Sequence, residues 1–225
     1  MKYSTYRICV LGIMGALAIV LALVVRFPIF PQVAFLEYDM GDVPIFLSTY
    51  MFGPWWGLLL TAIVCGIQGV TVSAASGIYG IIMHFIATGT YVLVSGLIYS
   101  KHRTIKGAII ALISGSLAWV LVMIPANLII TPFFMEVSVE VVLNLLLWIV
   151  LFNLIKAVGN SLITFLLYKR MRFLFKKLFR VEDKETQEAI VADTDNQTSV
   201  EQAEPETASD DKQEEIVNDT EKQDV

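Results

Sequence analysis

Residues 43–71 read Val-Pro-Ile-Phe-Leu-Ser-Thr-Tyr-Met-Phe-Gly-Pro-Trp-Trp-Gly-Leu-Leu-Leu-Thr-Ala-Ile-Val-Cys-Gly-Ile-Gln-Gly-Val-Thr. The stretch is uncharged, and the fold turns on whether Gly53-Pro54 divides it. Unbroken, Val43–Val70 is one tilted helix of about 42 Å at 1.5 Å per residue. Divided, it is two short helices, about Val43–Phe52 and Pro54–Thr71, the first too short to cross a bilayer of full thickness alone. Glycine followed by proline is a strong local breaker.

The same segment lies in a longer uncharged run, Val43–Ser100, flanked by Ile8–Val25, Gly107–Met135 and Val141–Tyr168, the last carrying Lys156 as its one charge. A second break falls at Val72-Ser73-Ala74-Ala75-Ser76-Gly77. At about 20 residues per crossing, Val43–Ser100 supplies three spans and the chain six. Charge supports this parity. With six spans and the N-terminus inside, Lys2, Arg7, Lys101, Arg103, Lys106, Lys169, Arg170, Arg172, Lys176, Lys177 and Arg180 all face the cytoplasm. The outer loops then hold Glu37, Asp39, Asp42, Glu136 and Glu140, with Arg26 as the outward cation. Five spans would put a basic segment outside, against the positive-inside rule.

Composition agrees with this class. Hydrophobic residues make up 56 % of the 225 positions and charged residues 16 %, against about 45–50 % and about 25 % in ordinary soluble domains. The mean hydropathy is +0.68. The formal net charge of -5 conceals a split: residues 1–180 carry 13 Lys/Arg and 5 Asp/Glu, residues 181–225 carry 3 Lys and 16 Asp/Glu. We therefore expect an all-α membrane protein with six transmembrane helices and both termini cytoplasmic, its domain at 1–180 and an acidic disordered cytoplasmic tail at 181–225. The run after Lys2 and Arg7 is longer than a signal-peptide core and reaches Arg26-Phe27-Pro28 without a small-x-small site, so it reads as a retained span. Cys9 and Cys65 lie in apolar runs without metal-ligand spacing and read as small buried hydrophobes.

Chemistry concentrates in Phe35-Leu36-Glu37-Tyr38-Asp39-Met40-Gly41-Asp42-Val43-Pro44, an outer loop holding three of the five acidic residues that precede position 181. Helical rise converts sequence into depth. Asn127 lies about 30 Å along the fifth helix, near the outer surface, and Lys156 about 20 Å from the cytoplasmic end of the sixth, with Asn153 one turn further out. His84 and Thr88 share one face of the fourth helix, about 10–16 Å deep from its outer end. These five side chains converge beneath the loop.

A charge inside the membrane costs about 2.5–3.5 kcal/mol on insertion scales, so Lys156 marks a functional site, or pairs with Asp39 or Asp42 to hold the bundle. Asn127 and Asn153 serve a ligand or bond helix to helix, and His84 is read chiefly as a packing histidine. Amides match the donor and acceptor edge of a neutral heterocycle, while Phe35 and Tyr38 offer flat surfaces to a ring. Hydroxyl-rich chains suit Asp and Lys, and a heavily phosphorylated ligand would call for more cations.

In order and spacing, the Phe35–Pro44 loop, Phe52-Gly53-Pro54, Gly80-Ile81-Ile82-Met83-His84-Phe85-Ile86-Ala87-Thr88-Gly89, Asn127 and Asn153-Leu154-Ile155-Lys156 resemble the riboflavin-specific substrate-binding (S) components of energy-coupling factor (ECF) vitamin transporters. The likeness covers about residues 5–178. It implies a six-helix fold that binds riboflavin from outside and works with a transmembrane coupling (T) subunit and two cytoplasmic ABC ATPases. It also implies that the loop, through Leu36, Tyr38 and Asp39, and Asn127, Asn153 and Lys156 contact the flavin. It implies further that the first helix docks on the coupling subunit through small residues. Two registers offer themselves, Gly15, Ala18 and Ala22 on one face and Gly12 and Ala16 beside it.

The alternatives are an S component or self-contained carrier for another neutral vitamin, such as a pyrimidine or pterin, and a membrane-embedded enzyme. The enzyme reading finds no support in Gly-x-Ser-x-Gly, His-Glu-x-x-His or paired intramembrane carboxylates, and Ser76, Ser95 and Ser114 precede glycine without a base in register. A Gly-x-x-x-x-Gly-Lys-[Ser/Thr] loop is also lacking, so ATP hydrolysis falls to partners. No cofactor, metal or nucleic acid is expected, and riboflavin enters as the transported ligand.

Overall fold

A computed structural model describes residues 2–201. Six α-helices follow one another: α1 (Lys2–Val24), α2 (Asp42–Phe52), α3 (Pro54–Val70), α4 (Gly77–Lys101), α5 (Ile105–Met135) and α6 (Val139–Glu201). Between α1 and α2, two three-residue strands, β1 (Arg26–Pro28) and β2 (Glu37–Asp39), form an antiparallel hairpin with Arg26 opposite Asp39 and Phe27 opposite Tyr38. The sequence reading had a loop here. The chain divides into the units Met1–Met171 and Arg172–Val225. The expected domain boundary at residue 180 falls on helical backbone that continues to Glu201, and residues 202–225 of the expected tail lie outside the described residues.

The break between α2 and α3 is present. Gly53 takes φ 99° and ψ 170°, a backbone that disfavours any residue with a Cβ, and Pro54 opens α3 where a missing N–H costs nothing. At 11 residues, α2 is about 16 Å long and does not span a bilayer. It is instead enclosed by protein, with every residue from Asp42 to Tyr50 buried, where a broken helix is tolerated. Among the described residues four helical segments are long and apolar enough to cross a membrane, Thr5–Val24, Ala74–Lys101, Ile105–Met135 and Val139–Arg170, while α3 is shorter at 17 residues.

Polarity is arranged for lipid rather than water. Ile13, Leu17, Leu59, Ile63, Ile113, Leu117, Leu121, Leu147, Leu162 and Leu166 are exposed, whereas Asp42, Thr88, Asn127, Asn153, Lys156 and Asn160 are buried. Lipid chains accept apolar side chains and leave polar ones to find partners between helices. At the centre, Phe46 of α2 stacks on Tyr91 of α4 with ring centroids 3.7 Å apart, and Trp119 of α5 meets both rings edge-on. A second apolar cluster of Val33, Val142 and Ile149, packed with Phe30, Phe35 and Leu36, fastens the segment between the strands onto α6.

Candidate substrate-binding site

A cavity opens beneath the hairpin, walled on one side by residues of β1, β2 and the C-terminal end of α3, and on the other by α4, α5 and α6. Of the side chains expected to meet a ligand, Leu36, Asp39, His84, Asn127, Asn153 and Lys156 line it. Tyr38 and Thr88 do not number among its lining residues; both are held in the polar network behind it.

That network begins at Lys156. Its Nζ lies 2.6 Å from Asp39 Oδ2 and 3.8 Å from Asp42 Oδ2, so one cation on α6 ties together the end of β2 and the start of α2. Asp39 Oδ1 accepts the Gly41 N–H at 2.9 Å, fixing the turn into α2. Asp42 is fully buried, yet each oxygen is served. Oδ1 accepts from Thr88 Oγ1 at 2.8 Å and His84 Nε2 at 3.0 Å, and Oδ2 accepts from Asn160 Nδ2 at 3.0 Å. A carboxylate in the first turn also faces the positive end of the helix dipole. Asn160 Nδ2 reaches the Asp39 carbonyl at 3.1 Å, and its Oδ1 accepts from the Tyr38 hydroxyl at 2.9 Å. Burial pushes the Tyr38 phenol above its ordinary pKa, and the nearby Lys156 charge opposes that rise only in part.

Asp42 and Asn160 do not line the cavity but are central to the polar network behind it, and neither was singled out as a ligand contact. The signal was available for Asn160, because positions 153, 156 and 160 fall on one helical face. The Tyr38 hydroxyl turns toward α6, and the ring that the sequence offers to a ligand lies 5.5 Å from that of Phe27 between centroids.

On the α5–α6 wall the two asparagines are held alike. Asn127 Nδ2 donates to the Met123 carbonyl at 2.8 Å and its Oδ1 accepts from Thr131 at 2.9 Å. Asn153 Nδ2 donates to the Ile149 carbonyl at 2.8 Å and its Oδ1 accepts from Trp119 Nε1 at 2.9 Å. An amide has two donor hydrogens and two acceptor lone pairs, so each retains one of either kind. Trp119 and Phe152 add flat apolar surface to the same wall. Across the mouth, Arg26 bonds Glu37 on the partner strand and the Val72 carbonyl beyond α3, securing the hairpin over the cavity.

The two small-residue faces of α1 separate. Gly15, Ala18 and Ala22 are turned inward, Gly15 against Leu60 and Val64, Ala18 beneath Gly41, and Ala22 onto the cavity. Gly12 and Ala16 are exposed. Among the described residues no cluster of three His, Cys, Asp or Glu has metal-binding proximity.

The sequence matches the family described as "ECF transporter, substrate-specific component" over residues 6–168. It is 26 % identical over 179 residues to "Riboflavin transporter RibU" of Staphylococcus aureus (strain TCH60), covering 76 % of this chain and 93 % of that protein. It is 28 % identical over 119 residues to "Riboflavin transporter FmnP" of Bacillus subtilis (strain 168), covering 52 % and 62 %. Its fold superposes on the solved structure titled "Structure and mechanism of the S component of a bacterial ECF transporter" with a TM-score of 0.69 at 26 % identity, covering 77 % of this chain and 99 % of that one. The chain belongs to the family of substrate-specific components of ECF transporters, multi-pass proteins of the cell membrane that bind a vitamin without chemically altering it and work with the T subunit and ATPases of the ECF module.

Proposed function

We propose that this chain is the riboflavin-binding S component of its transporter, taking the vitamin from outside the cell for ATP-driven uptake with a T subunit and two cytoplasmic ABC ATPases. The observation that carries this reading is the pair of amides on the α5–α6 wall. Asn127 and Asn153 each keep a free donor and acceptor beside Trp119, and this pairing suits the flat, alternately polar edge of a flavin ring. The names of the relatives point the same way. Positive charge bias supports a topology with both termini in the cytoplasm and the hairpin outside.

The test is a fluorescence titration. Purified protein quenches riboflavin at low concentration, and unlabelled pyrimidine or pterin vitamins fail to compete. Unchanged fluorescence overturns the reading, and displacement by another vitamin reassigns the substrate.

A further inference from the structure

Charge in the unit Met1–Met171 is divided between its two ends. All five of its acidic residues lie either at β2 and the start of α2 (Glu37, Asp39, Asp42) or at the junction of α5 and α6 (Glu136, Glu140), and the 5.9 Å contact of the Phe35 and Phe134 rings holds these two places together. The opposite end is marked by the Tyr99 and Tyr168 hydroxyls, 2.6 Å apart, which bring the close of α4 against α6. Lys101 follows Tyr99 by two residues, Lys169 and Arg170 follow Tyr168, and α5 begins there after His102, Arg103 and Thr104. Lys101, Arg103, Lys106, Lys169 and Arg170 are all exposed at this end, and the unit has no carboxylate there to answer them.

Three of these cations continue rows of lipid-facing side chains. On α4, exposed Leu97 precedes Lys101 by four residues; on α5, Lys106 is followed at the same helical face by exposed Ile110, Ile113 and Leu117; on α6, exposed Leu162 and Leu166 lead to Arg170 in steps of four. Each cation therefore stands one turn beyond apolar side chains that face acyl chains. Depth agrees. A Cβ on Gly96, five residues before Lys101, would lie 2.8 Å from Pro54 Cβ, so the start of α3 reaches this level. The adjoining Trp55 is 72 % exposed, an indole where tryptophan meets headgroups.

We propose that Lys101, Lys106 and Arg170 bind the phosphates of anionic phospholipids whose acyl chains lie along the apolar rows that these cations end. A lipid phosphodiester keeps its negative charge at neutral pH and offers oxygens to ammonium and guanidinium donors. A zwitterionic lipid carries its own cation and gains less. An acidic protein would meet the cations from the aqueous side alone, whereas a lipid occupies the cations and the adjoining rows together. The sites lie at the end of the bundle away from the substrate cavity and hold whichever vitamin is carried.

The experiment uses full-length protein, delipidated in detergent and titrated with phosphatidylglycerol and with phosphatidylcholine, bound lipid being counted by native mass spectrometry. Wild type is compared with the triple variant Lys101→Gln/Lys106→Gln/Arg170→Gln. Each Lys or Arg near an anionic surface is worth about a fivefold gain in binding. Wild type should therefore bind phosphatidylglycerol about tenfold or more tightly than phosphatidylcholine, and the triple variant should bind the two alike. Equal affinity of wild type for both lipids overturns the proposal, as does a preference that survives the triple substitution. Inorganic phosphate, added at matched ionic strength, should leave bound phosphatidylglycerol in place; its displacement by millimolar phosphate would assign the cations to a free phosphate instead and overturn the lipid sites. The melting temperature in phosphatidylcholine should be the same for both proteins, so that lost binding is not lost fold. If the triple variant melts lower, the three single variants decide: each should lose about two- to fivefold of the preference, and no loss in any of them overturns the proposal.

Discussion

Lys156 of α6 and Asp39 of β2 are joined across 117 positions of sequence by 2.6 Å between Nζ and Oδ2, with each side chain mostly buried. The pair fastens the outer hairpin to the longest helix and places the charge of Lys156 at the cavity wall. Removing one partner of a buried pair leaves the other uncompensated, at a cost of about 3–5 kcal/mol, whereas replacing both is often close to neutral. Lys156→Met should therefore melt well below wild type, and Asp39→Asn combined with Lys156→Met should recover part of the loss, since buried Asp42 still lacks the cation 3.8 Å away. Riboflavin affinity should not return with stability, since the double variant lacks the cation at the wall. Equal melting temperatures for wild type and Lys156→Met would show that the pair does not hold the hairpin.

Tyr38 gives a pH-dependent prediction whose sign follows from its raised pKa. A phenol with a folded-state pKa above the unfolded one contributes stability that is whole below the unfolded value, about 10, and fades as pH rises through the folded value. The neutral hydroxyl is also the form that donates to Asn160. Wild type minus Tyr38→Phe should thus isolate one phenol that ionises later than free tyrosine in an alkaline absorbance titration. At neutral pH, Tyr38→Phe should cost about 1–3 kcal/mol, because Asn160 Oδ1 loses its donor. A phenol titrating at or below the ordinary value would contradict the burial of this hydroxyl.

Trp119 lies on the cavity wall and steadies Asn153 through its indole N–H. A flavin bound against it should quench its emission. Trp119→Phe should remove most of the ligand-dependent quenching and weaken riboflavin about tenfold, because Asn153 Oδ1 loses the bond that orients it. Quenching that survives in Trp119→Phe would place the ring elsewhere.

Much of this arrangement was legible in the sequence, for reasons that also explain what was not. The six helices follow from the contrast between long apolar runs and short charged connections, and Gly53-Pro54 announces its break through backbone chemistry. Asn153 and Lys156 stand out because polar groups are rare within such a helix. The hairpin was not legible: Arg26–Pro28 and Glu37–Asp39 are too short to show alternation, and their pairing is set by contacts on both sides. The partners of Thr88 and Tyr38 were not legible either: the hydroxyls bond the buried carboxylate of Asp42 and the amide of Asn160, groups brought to them from distant parts of the chain.

The exposed and buried faces of α1 make the last prediction. The proposed docking on a coupling subunit requires small residues that the protein's own packing does not consume. Gly15 fails this condition, since a Cβ at that position lies 3.2 Å from Leu60 Cδ1, and Ala18 and Ala22 are buried. Gly12 meets it, with nothing within 4 Å of the same construction. Gly15→Leu should therefore destabilise the isolated subunit, by about 1–3 kcal/mol for overpacking, and disturb flavin binding. Gly12→Leu should leave melting temperature and riboflavin affinity unchanged while preventing close approach of a partner helix. Copurification with tagged T subunit and ATPases checks this directly. Normal recovery of the complex with Gly12→Leu would remove the Gly12–Ala16 face from the contact and leave the exposed large apolar residues of α1, such as Ile13, Leu17 and Val20, as the surface that helix still offers.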